Sequence, residues 1–361
     1  MPALSISKNH NKMFIVSSET LRYLTNVILE QYKVEKDVRY HVVSAIIQTS
    51  LRGVDSHGIE LFPHYIMALK AGRINPTPQF SFEKTSSSTG KLNADHTFGH
   101  AAGAKAMFYS MQMAKKTGVG IVIVYNSTHF GAAAYFVLLA AKNDFIGLCC
   151  THSTPHMLTY GGIRPFFSTN PIAFAAPCEG EEPYCLDMAT ARVTYNRILE
   201  YRRLKKRLPP NWAADIYGNP TTDPQKAIYM LPIGDYKGFG MAMMIDILCS
   251  CLSGMPYGKH ISAMYGKDLS KKRCLAHFFL AIDISKFVPI KQFKKRLKNM
   301  MDEVRAEPKK NPKIPIMVAG DPEKKEAALR EKNGIPLSFA TFQFFKKFAD
   351  KNGINISATI K

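Results

Sequence analysis

The sequence of 361 residues lacks the cysteine spacing of a disulfide framework or a structural zinc site. Its 7 cysteines are an odd number without a C-x-x-C pair, and several lie in apolar runs such as 146–150. Thiols buried in this way are typical of a reducing compartment. The sequence also has no apolar run of about 18 residues, which a membrane-spanning helix would need, and its polar start, 1–11, resembles a frayed end more than a secretion signal. We therefore expect a cytoplasmic protein without a membrane segment.

The spacing of the histidines does not indicate a metal site either. His152 and His156 have i, i+4 spacing, but Pro155 between them argues against the helix that would bring both side chains to one face. No third ligand follows at a convincing spacing. We therefore predict no metal.

Acidic residues are scarce relative to basic ones, with 28 Asp and Glu against 48 Lys and Arg, and the formal net charge is +20. Such an excess can attract nucleic acid, an anionic membrane, or small anionic substrates and cofactors. The basic residues fall mostly in polar segments, without zinc-finger spacing or the interleaved aromatics of an RNA-binding surface. We therefore favour a solvated basic surface over nucleic-acid binding.

Hydrophobic periodicity predicts an alternation of helices and strands. Helices are expected from Ser17 or Ser18, over about 36–51, and over 61–71, 101–116, 132–142, 241–253, 290–305 and 335–349. Buried strands are expected over 120–124, 146–151, 172–176 and 277–284. The last dozen residues are expected to form a tail.

Three segments carry more specific expectations. The serine-rich stretch 85–90 is predicted to be a linker between domains. The helix over 241–253 is predicted to belong to the core, with these residues facing inward: Met244, Ile247, Leu248 and Cys251. The helix over 290–305 is expected to carry a solvated basic face formed by Lys291, Lys294, Lys295 and Lys298.

A short polar loop after the second helix contains a guanidinium, a carboxylate, a hydroxyl and an imidazole, from Arg52, Asp55, Ser56 and His57. A carboxylate beside an imidazole can fix its tautomer and raise its pKa, and a guanidinium can bind an anionic substrate through two hydrogen bonds. The loop is therefore a candidate acid/base centre. The alternative is a polar turn in which Asp55 caps a helix and His57 is only hydrated.

A second candidate histidine follows a predicted buried strand. The strand 120–124 leads into Asn126-Ser127-Thr128-His129-Phe130-Gly131 and then into a helix. Active-site side chains often lie on loops that rigid elements hold in place. His129 therefore either belongs to such a site or lies beside a helix N-cap.

These two loops and four further motifs occur along the chain in the same order as in a known family, which the sequence therefore resembles. The further motifs are Thr169-Asn170-Pro171-Ile172-Ala173-Phe174-Ala175-Ala176-Pro177, Leu186-Asp187-Met188-Ala189-Thr190, Gly218-Asn219-Pro220-Thr221-Thr222-Asp223-Pro224 and Leu231-Pro232-Ile233-Gly234-Asp235-Tyr236-Lys237-Gly238-Phe239-Gly240. With Arg52-Gly53-Val54-Asp55-Ser56-His57-Gly58-Ile59 and 126–131, they resemble the malate/L-lactate dehydrogenase family of the second type. Its members include ureidoglycolate and sulfolactate dehydrogenases and a cyclic-imine reductase. The similarity covers roughly residues 15 to 337.

The resemblance implies an α/β (α+β) fold that is not a Rossmann fold, in keeping with the absence of a complete G-x-G-x-x-G after a strand. It implies a discontinuous helical and dimerisation domain over 14–84 and 285–348. Residues 85–284 would form an NAD(P)-binding domain on a largely antiparallel sheet. Members of the family are homodimers, so we expect a homodimer with an active site in the cleft between the domains.

The resemblance also implies hydride transfer between NAD or NADP and a small anionic 2-hydroxy or 2-oxo acid. Such a reaction needs a group that exchanges the hydroxyl proton and a cation for the carboxylate. His57 and His129 match the family's histidines, and Arg52 is a candidate for the carboxylate. The positions that match cofactor contacts are Ser153, Thr169, Asn170, Asp187, Met188, Ala189, Lys237, Gly238 and, more weakly, Gly320.

The sequence departs from the family at positions that bear on the substrate. Many relatives have an arginine four residues after the histidine that corresponds to His57, and Leu61 stands there. Arg52 or Arg164 could substitute for it. Other departures are Ser168 before Thr-Asn-Pro, and Asn196-Arg197 in place of a common Gly-Lys. Two alternatives stay open: an imine reductase on the same scaffold, and a non-catalytic protein that binds an anionic polymer through its basic surface.

Overall fold

The computed structural model describes residues 12–266 and 268–360; the polar start of the chain, over 1–11, lies outside them. In these residues, helices α1 to α10 span Ser18–Gln31, Lys36–Leu51, Phe62–Lys70, Gly99–Thr117, Ala134–Lys142, Tyr195–Arg203, Tyr236–Asp246, Ile290–Ala306, Asp321–Asn333 and Phe339–Lys351. Strands β1 to β15 span Phe14–Val16, Ser81–Lys84, Thr89–Asn93, Val119–Ser127, Phe145–Thr151, Met157–Leu158, Pro165–Phe167, Ile172–Ala176, Tyr184–Met188, Ala213–Ala214, Pro220–Thr221, Tyr229–Met230, Leu275–Asp283, Ile335–Leu337 and Thr359–Ile360. None of the described helices combines the length and the apolar character needed to cross a bilayer.

The early helices begin and end where their local chemistry requires. The Ser17 hydroxyl accepts a hydrogen bond from the Thr20 backbone N–H and so caps α1. Helix α2 has the predicted bounds, Lys36–Leu51. Helix α4 ends at Gly118, whose φ of +88° is accessible to glycine at little steric cost.

The centre of the protein is a seven-stranded sheet in the order β2-β3-β4-β13-β5-β8-β9. Neighbouring strands are antiparallel except for the parallel pair β3 and β4. A doubly wound dinucleotide fold would need a mostly parallel sheet. The predicted largely antiparallel, non-Rossmann architecture is therefore confirmed.

The two faces of this sheet are covered differently. Alternate residues of β4 point to opposite faces, so Val122 and Val124 pack under α4 and α5. On the other face, Ile123 packs with Ile245 and Cys249, at the end of α7 and in the π-helical turn after it. Helix α4 lies so close to β4 that a Cβ on Gly120 would come within 2.0 Å of the Ser110 carbonyl oxygen.

Both ends of the chain contribute to one helical layer. Strand β1 pairs with β14 on one side and with β15 on the other, and both pairs are antiparallel. The rings of Phe14 and Phe342 stack with centroids 4.2 Å apart, and Phe62 stacks on Phe345 at 5.6 Å. Helices α1, α2 and α3 thus share a core with α10.

Several local predictions were wrong. Residues 85–90 are not a linker between domains, because they form the turn between the antiparallel strands β2 and β3 of one sheet. Residues 335–337 are strand β14, and helix α10 begins only at Phe339. The expected C-terminal tail contains β15, which pairs with β1. In each case pairing with a strand distant in sequence decides the local structure, and a local pattern does not contain that information.

The predicted inward face of the helix over 241–253 was also wrong. Met244, Ile247 and Cys251 are exposed, and the buried residues of this segment are instead Ala242, Ile245, Asp246, Cys249 and Ser250. The predicted and the observed inward positions both follow a 3.6-residue repeat, offset from each other by about two residues, so periodicity does not tell which face is buried, and here the more apolar face is the exposed one.

The contact between α4 and β4 gives a first prediction. Gly120→Ala should destabilise the protein by about 1–3 kcal/mol, because the new methyl group meets backbone atoms that cannot rotate away. The measurement is the urea midpoint at constant m-value. Gly240→Ala in α7 is the matched control, since no heavy atom lies within 4 Å of its Cβ position. An unchanged midpoint for Gly120→Ala would contradict this packing.

Candidate active site

The His57 loop follows directly from the end of α2 and is shaped by Ser50 and Gly58. The Ser50 hydroxyl accepts a hydrogen bond of 2.8 Å from the Ile59 backbone N–H. A Cβ on Gly58 would lie 2.3 Å from the same hydroxyl oxygen. Glycine therefore follows His57 because the loop folds tightly back onto the helix.

Residues from the C-terminal part of the chain hold this loop at both ends. Arg330 on α9 donates to the Ser50 carbonyl at 2.8 Å and to both carboxylate oxygens of Asp55, one of them at 3.0 Å. Glu60 accepts hydrogen bonds from the Ser338 backbone N–H at 2.6 Å and from the Thr341 hydroxyl at 2.7 Å. The loop is thus fixed by groups roughly 280 positions away in sequence.

The two predicted histidines lie side by side. The rings of His57 and His129 are stacked, with centroids 5.5 Å apart and an angle of 29° between their planes. His57 Nδ1 shares a hydrogen bond of 2.9 Å with the Ser56 hydroxyl. His129 Nδ1 shares one of 2.7 Å with the hydroxyl of Tyr65. The polar-turn alternative expects a hydrated His57 ring, whereas the ring stacks on His129 and is only partly exposed.

The electrostatics of this cluster differ from the expectation for His57. Asp55 was expected to raise the pKa of the imidazole, but its carboxylate is bound to Arg330, and burial lowers the pKa of His57. Burial, and after it the neighbouring His57 and His100, lower the pKa of His129 well below 6.5. Burial raises the pKa of Tyr65 well above 10.0, so its hydroxyl keeps its proton. Both histidines are therefore neutral at pH 7.

The histidines lie where two parts of one cleft meet. The first part, the Asp187 compartment, has a volume of about 470 Å³, and the second, the His129 compartment, has about 440 Å³. The residues that line both are Ser56, His57, Gly131, Thr169, Pro171 and Thr194. The rings of His57 and His129 are only partly exposed, and each lines the cleft. A ligand in either compartment would reach His57.

The structure brings most of the predicted cofactor positions to this cleft. Asp187, Ala189 and Gly320 line the Asp187 compartment, Ser153 lines the His129 compartment, and Thr169 lines both. The Asp187 carboxylate accepts a hydrogen bond of 2.8 Å from the Ala134 backbone N–H at the start of α5. The cleft walls withdraw this accessible carboxylate from bulk water, which raises its pKa to about 6.

Four predicted cofactor positions line neither compartment: Asn170, Met188, Lys237 and Gly238. Asn170 is buried, and its side-chain amide donates to the Ala242 carbonyl at 2.9 Å, which ties the 169–171 turn to α7. Lys237 is exposed in the first turn of α7. Gly238 is required by packing, since a Cβ there would come within 2.0 Å of the Ile233 carbonyl oxygen.

Neither of the two arginines considered for the substrate carboxylate lines the His129 compartment. Arg52 lines the Asp187 compartment and forms a 2.8 Å ion pair with Glu182, so it lies away from the His129 compartment. Arg164 is exposed. Sequence reasoning missed Tyr65 and the buried Arg273, and no local pattern distinguishes them, because both reach the cluster only through tertiary folding.

His152 and His156 have separate structural partners. His152 Nδ1 lies 3.0 Å from Asp246 Oδ1, and its Nε2 accepts from the Ala276 backbone N–H at 2.9 Å. His156 Nδ1 lies 2.8 Å from the Thr154 carbonyl. Across the described ranges, no three or more His, Cys, Asp or Glu side chains converge as metal ligands.

Neutral buried histidines make stability depend on pH. Burial, and after it His57, lower the pKa of His100 to about 3. The unfolded chain therefore binds an additional proton at His100 between pH 6.5 and 3, and the free energy of unfolding falls as the pH falls through this range. At pH 5 the loss from this residue is about 2 kcal/mol.

His100→Leu should therefore flatten the pH dependence of unfolding between pH 6.5 and 4. It should leave stability at pH 7 the same or higher, since neither ring nitrogen has a hydrogen-bond partner in the part of the chain that the structure describes. Urea unfolding at several pH values measures this. The exposed His260→Leu is the control, because its ring is hydrated in both states. Equal pH dependence of wild type and His100→Leu would show that His100 is protonated in the folded protein.

Comparison with known proteins identifies the family of this chain. The sequence profile of the malate/L-lactate dehydrogenase family matches residues 16–346. The malate/(S)-sulfolactate dehydrogenase of Methanothermus fervidus is 34% identical over 95% of this chain and 99% of its own. The ureidoglycolate dehydrogenase (NAD(+)) of Escherichia coli is 34% identical over 81% of this chain and 83% of its own. Among solved structures, malate dehydrogenase from Entamoeba histolytica has a TM-score of 0.89 at 32% identity, covering 95% of this chain and 99% of its own. The resemblance inferred from the motifs is confirmed: the chain belongs to the malate/L-lactate dehydrogenase family.

Proposed function

We propose that this protein is an NAD(P)-dependent oxidoreductase that transfers a hydride between nicotinamide and a small 2-hydroxy or 2-oxo acid. The observation that carries the proposal is the pair of neutral histidines, His57 and His129, at the junction of two cleft compartments. The Asp187 compartment suits a nucleotide, and the His129 compartment suits a small acid. Family membership and the dehydrogenase names of the relatives support the same reaction.

The Asp187 compartment fits a nucleotide cofactor by its donor and acceptor set. Asp187 uses one hydrogen bond to Ala134 and has acceptor capacity left for a donor such as a ribose hydroxyl. Gly320, with a φ of +97°, lies in a turn at the start of α9 that brings backbone close to the cleft. Thr169, Ala189 and Ser153 complete the proposed contacts, with Arg52 at the edge. For Asn170, Met188, Lys237 and Gly238, a cofactor role rests on the family resemblance alone.

A bound nicotinamide would supply or accept the hydride. The protein must then exchange the hydroxyl proton of the acid. The Tyr65 hydroxyl keeps its proton, and its oxygen can accept a hydrogen bond from Nδ1–H of the neutral His129 ring. Nε2 is then free to accept the hydroxyl proton of the acid during oxidation, and the imidazolium formed returns this proton to the carbonyl oxygen during reduction. His57, oriented by Ser56, is positioned to hold the same oxygen or to share the proton.

We also propose that the protein is a cytoplasmic homodimer. Five of its cysteines are buried and free, in keeping with a reducing compartment. The segment after Asp235 exposes Met243, Met244, Ile247 and Leu252 to solvent. Grouped exposed apolar side chains of this kind are typical of an interface. This face lies in the part of the chain assigned to the NAD(P)-binding domain, whereas the resemblance implies dimerisation through the helical domain.

The reaction is tested by following NADH or NADPH oxidation with a panel of 2-oxo acids. Wild type should turn over at least one acid. His129→Ala should lower kcat by about 10²–10⁴-fold through loss of the proton donor, and Tyr65→Phe should lower kcat by less, because only the orienting hydroxyl is lost. The exposed His260→Ala is the control. NADH fluorescence checks that the variants still bind cofactor.

The alternatives give different results in the same assays. Turnover of a cyclic imino acid with no 2-oxo acid reduced would favour the imine reductase. Salt-dependent retention on nucleic acid without binding of either nucleotide would favour the non-catalytic binding protein.

The dimer is tested by light scattering on chains of 40.4 kDa. Wild type should have twice this mass, and Met243→Glu should shift it toward the monomer, because a charge placed in an apolar interface is desolvated. Met67→Glu on α3 is the matched comparison, since the two methionines are 52% and 50% exposed. Dissociation by Met67→Glu alone would locate the interface in the helical domain instead.

A further inference from the structure

The His129 compartment has an unusual wall for a site that takes an anion. Among its lining residues, all in the described part of the chain, there is no Lys, Arg, Asp or Glu. Leu61, which stands where many relatives have arginine, is one of the lining residues. The larger apolar side chains of the wall include Leu61, Phe130, Leu199, Met230, Met264 and Leu275. A carboxylate placed here without a cation would be left unpaired, which is unfavourable.

A buried cation lies directly behind this wall. Arg273 is 2% exposed, and its Nη2 donates a hydrogen bond of 3.1 Å to the hydroxyl of Thr154, which lines the compartment. Arg273 forms no ion pair within the described residues, and its Nε has no hydrogen-bond partner there. Burial, and after it Arg73, lower its pKa to about 9, so the guanidinium remains charged at pH 7. Buried charges are normally paired, so an unpaired one next to a ligand compartment needs an anion.

The other arginines near the cleft have different partners. Arg73 donates to four backbone carbonyls, those of Ala263, Met264, Asp268 and Lys271, and so holds the loop that roofs the compartment. Arg52 is paired with Glu182. The charge of Arg273 also lowers the pKa values of His64 and His129, so its field reaches the histidine cluster.

We propose that Arg273 stabilises the substrate carboxylate through the Thr154 hydroxyl, which lines the compartment, and so replaces the arginine that is missing at Leu61. Because no charged side chain of the described residues lines the wall and one unpaired guanidinium lies behind it, the preferred substrate carries a single carboxylate and an uncharged side chain. A second anionic group, as in malate or sulfolactate, would face Leu61 and other apolar side chains. The inference rests on the proposed function and narrows its substrate class to 2-hydroxy and 2-oxo monocarboxylates.

The test compares pyruvate, its neutral amide and oxaloacetate at saturating NADH. Wild type should have a higher kcat/KM for pyruvate than for the amide or the dicarboxylate. Arg273→Gln should raise KM for pyruvate about 10- to 100-fold, the effect of losing a hydrogen bond to a charged group. Arg273→Gln should leave KM for the amide unchanged. Arg273→Lys should bring KM for pyruvate part of the way back to the wild-type value. Arg164→Gln, at an exposed arginine, is the control.

Each outcome bears on a separate statement. No turnover of any 2-oxo acid by wild type contradicts the proposed function itself. Turnover with an unchanged KM in Arg273→Gln overturns the carboxylate assignment and leaves other donors, such as the backbone N–H groups at the start of α6. A preference of wild type for oxaloacetate overturns the single-charge preference.

Folding of the variants is checked separately, because Arg273 is buried. NADH fluorescence should give the same affinity in Arg273→Gln as in wild type, since Arg273 does not line the Asp187 compartment. If Arg273→Gln fails to fold, Thr154→Val is the second variant. Its KM for pyruvate should rise while its KM for the amide changes less, and an equal change for both would contradict the proposal.

Discussion

The candidate site depends on hydrogen bonds between distant parts of the chain: Arg330 and Ser338, near the C-terminal end, fix the His57 loop. Arg330 binds Asp55 and the end of α2, while Glu60 accepts from Ser338. The loop itself is a pair of short turns without a core of its own. Its position is therefore set by the return of the C-terminal helices to the helical layer, and His57 faces the cleft only once that layer is complete.

Burial of polar groups is the second constraint, and it determines their charge states. Among the described residues, no carboxylate pairs with His57 or His129, so desolvation dominates and lowers the pKa of each ring. A neutral ring has a free nitrogen that can accept a proton from a hydroxyl group without first losing one to solvent. Asp187 shows the converse effect, because the same cleft raises its pKa to about 6. The same low-polarity cleft thus raises the pKa of one carboxyl group and lowers the pKa of two imidazoles.

One positive charge, that of Arg273, lies close to the candidate site. Within the described residues, the compartment that holds His129 has no charged side chain in its wall, and the unpaired guanidinium of Arg273 lies behind it. Much of the remaining charge lies on exposed helices, where pairs such as Lys298 with Asp302 are screened by solvent. Most of the basic residues behind the net charge of +20 therefore have no part in the proposed binding of the substrate carboxylate, which depends on Arg273.

Ordered motifs along the chain predicted the family and the class of fold, and local periodicity predicted most of the helices but only four of the fifteen described strands, β4, β5, β8 and β13. The sequence also selected His57, His129 and Asp187, whose neighbours in sequence form recognisable loops. Tertiary structure alone decided the partners of those groups: Arg330 for Asp55, Tyr65 for His129, and Arg273 behind Thr154. It also decided the exposed face of α7 and the strand at Ile335–Leu337. These features depend on residues far apart in sequence, and two faces of the α7 segment fit a helical repeat equally well, so no local pattern contains them.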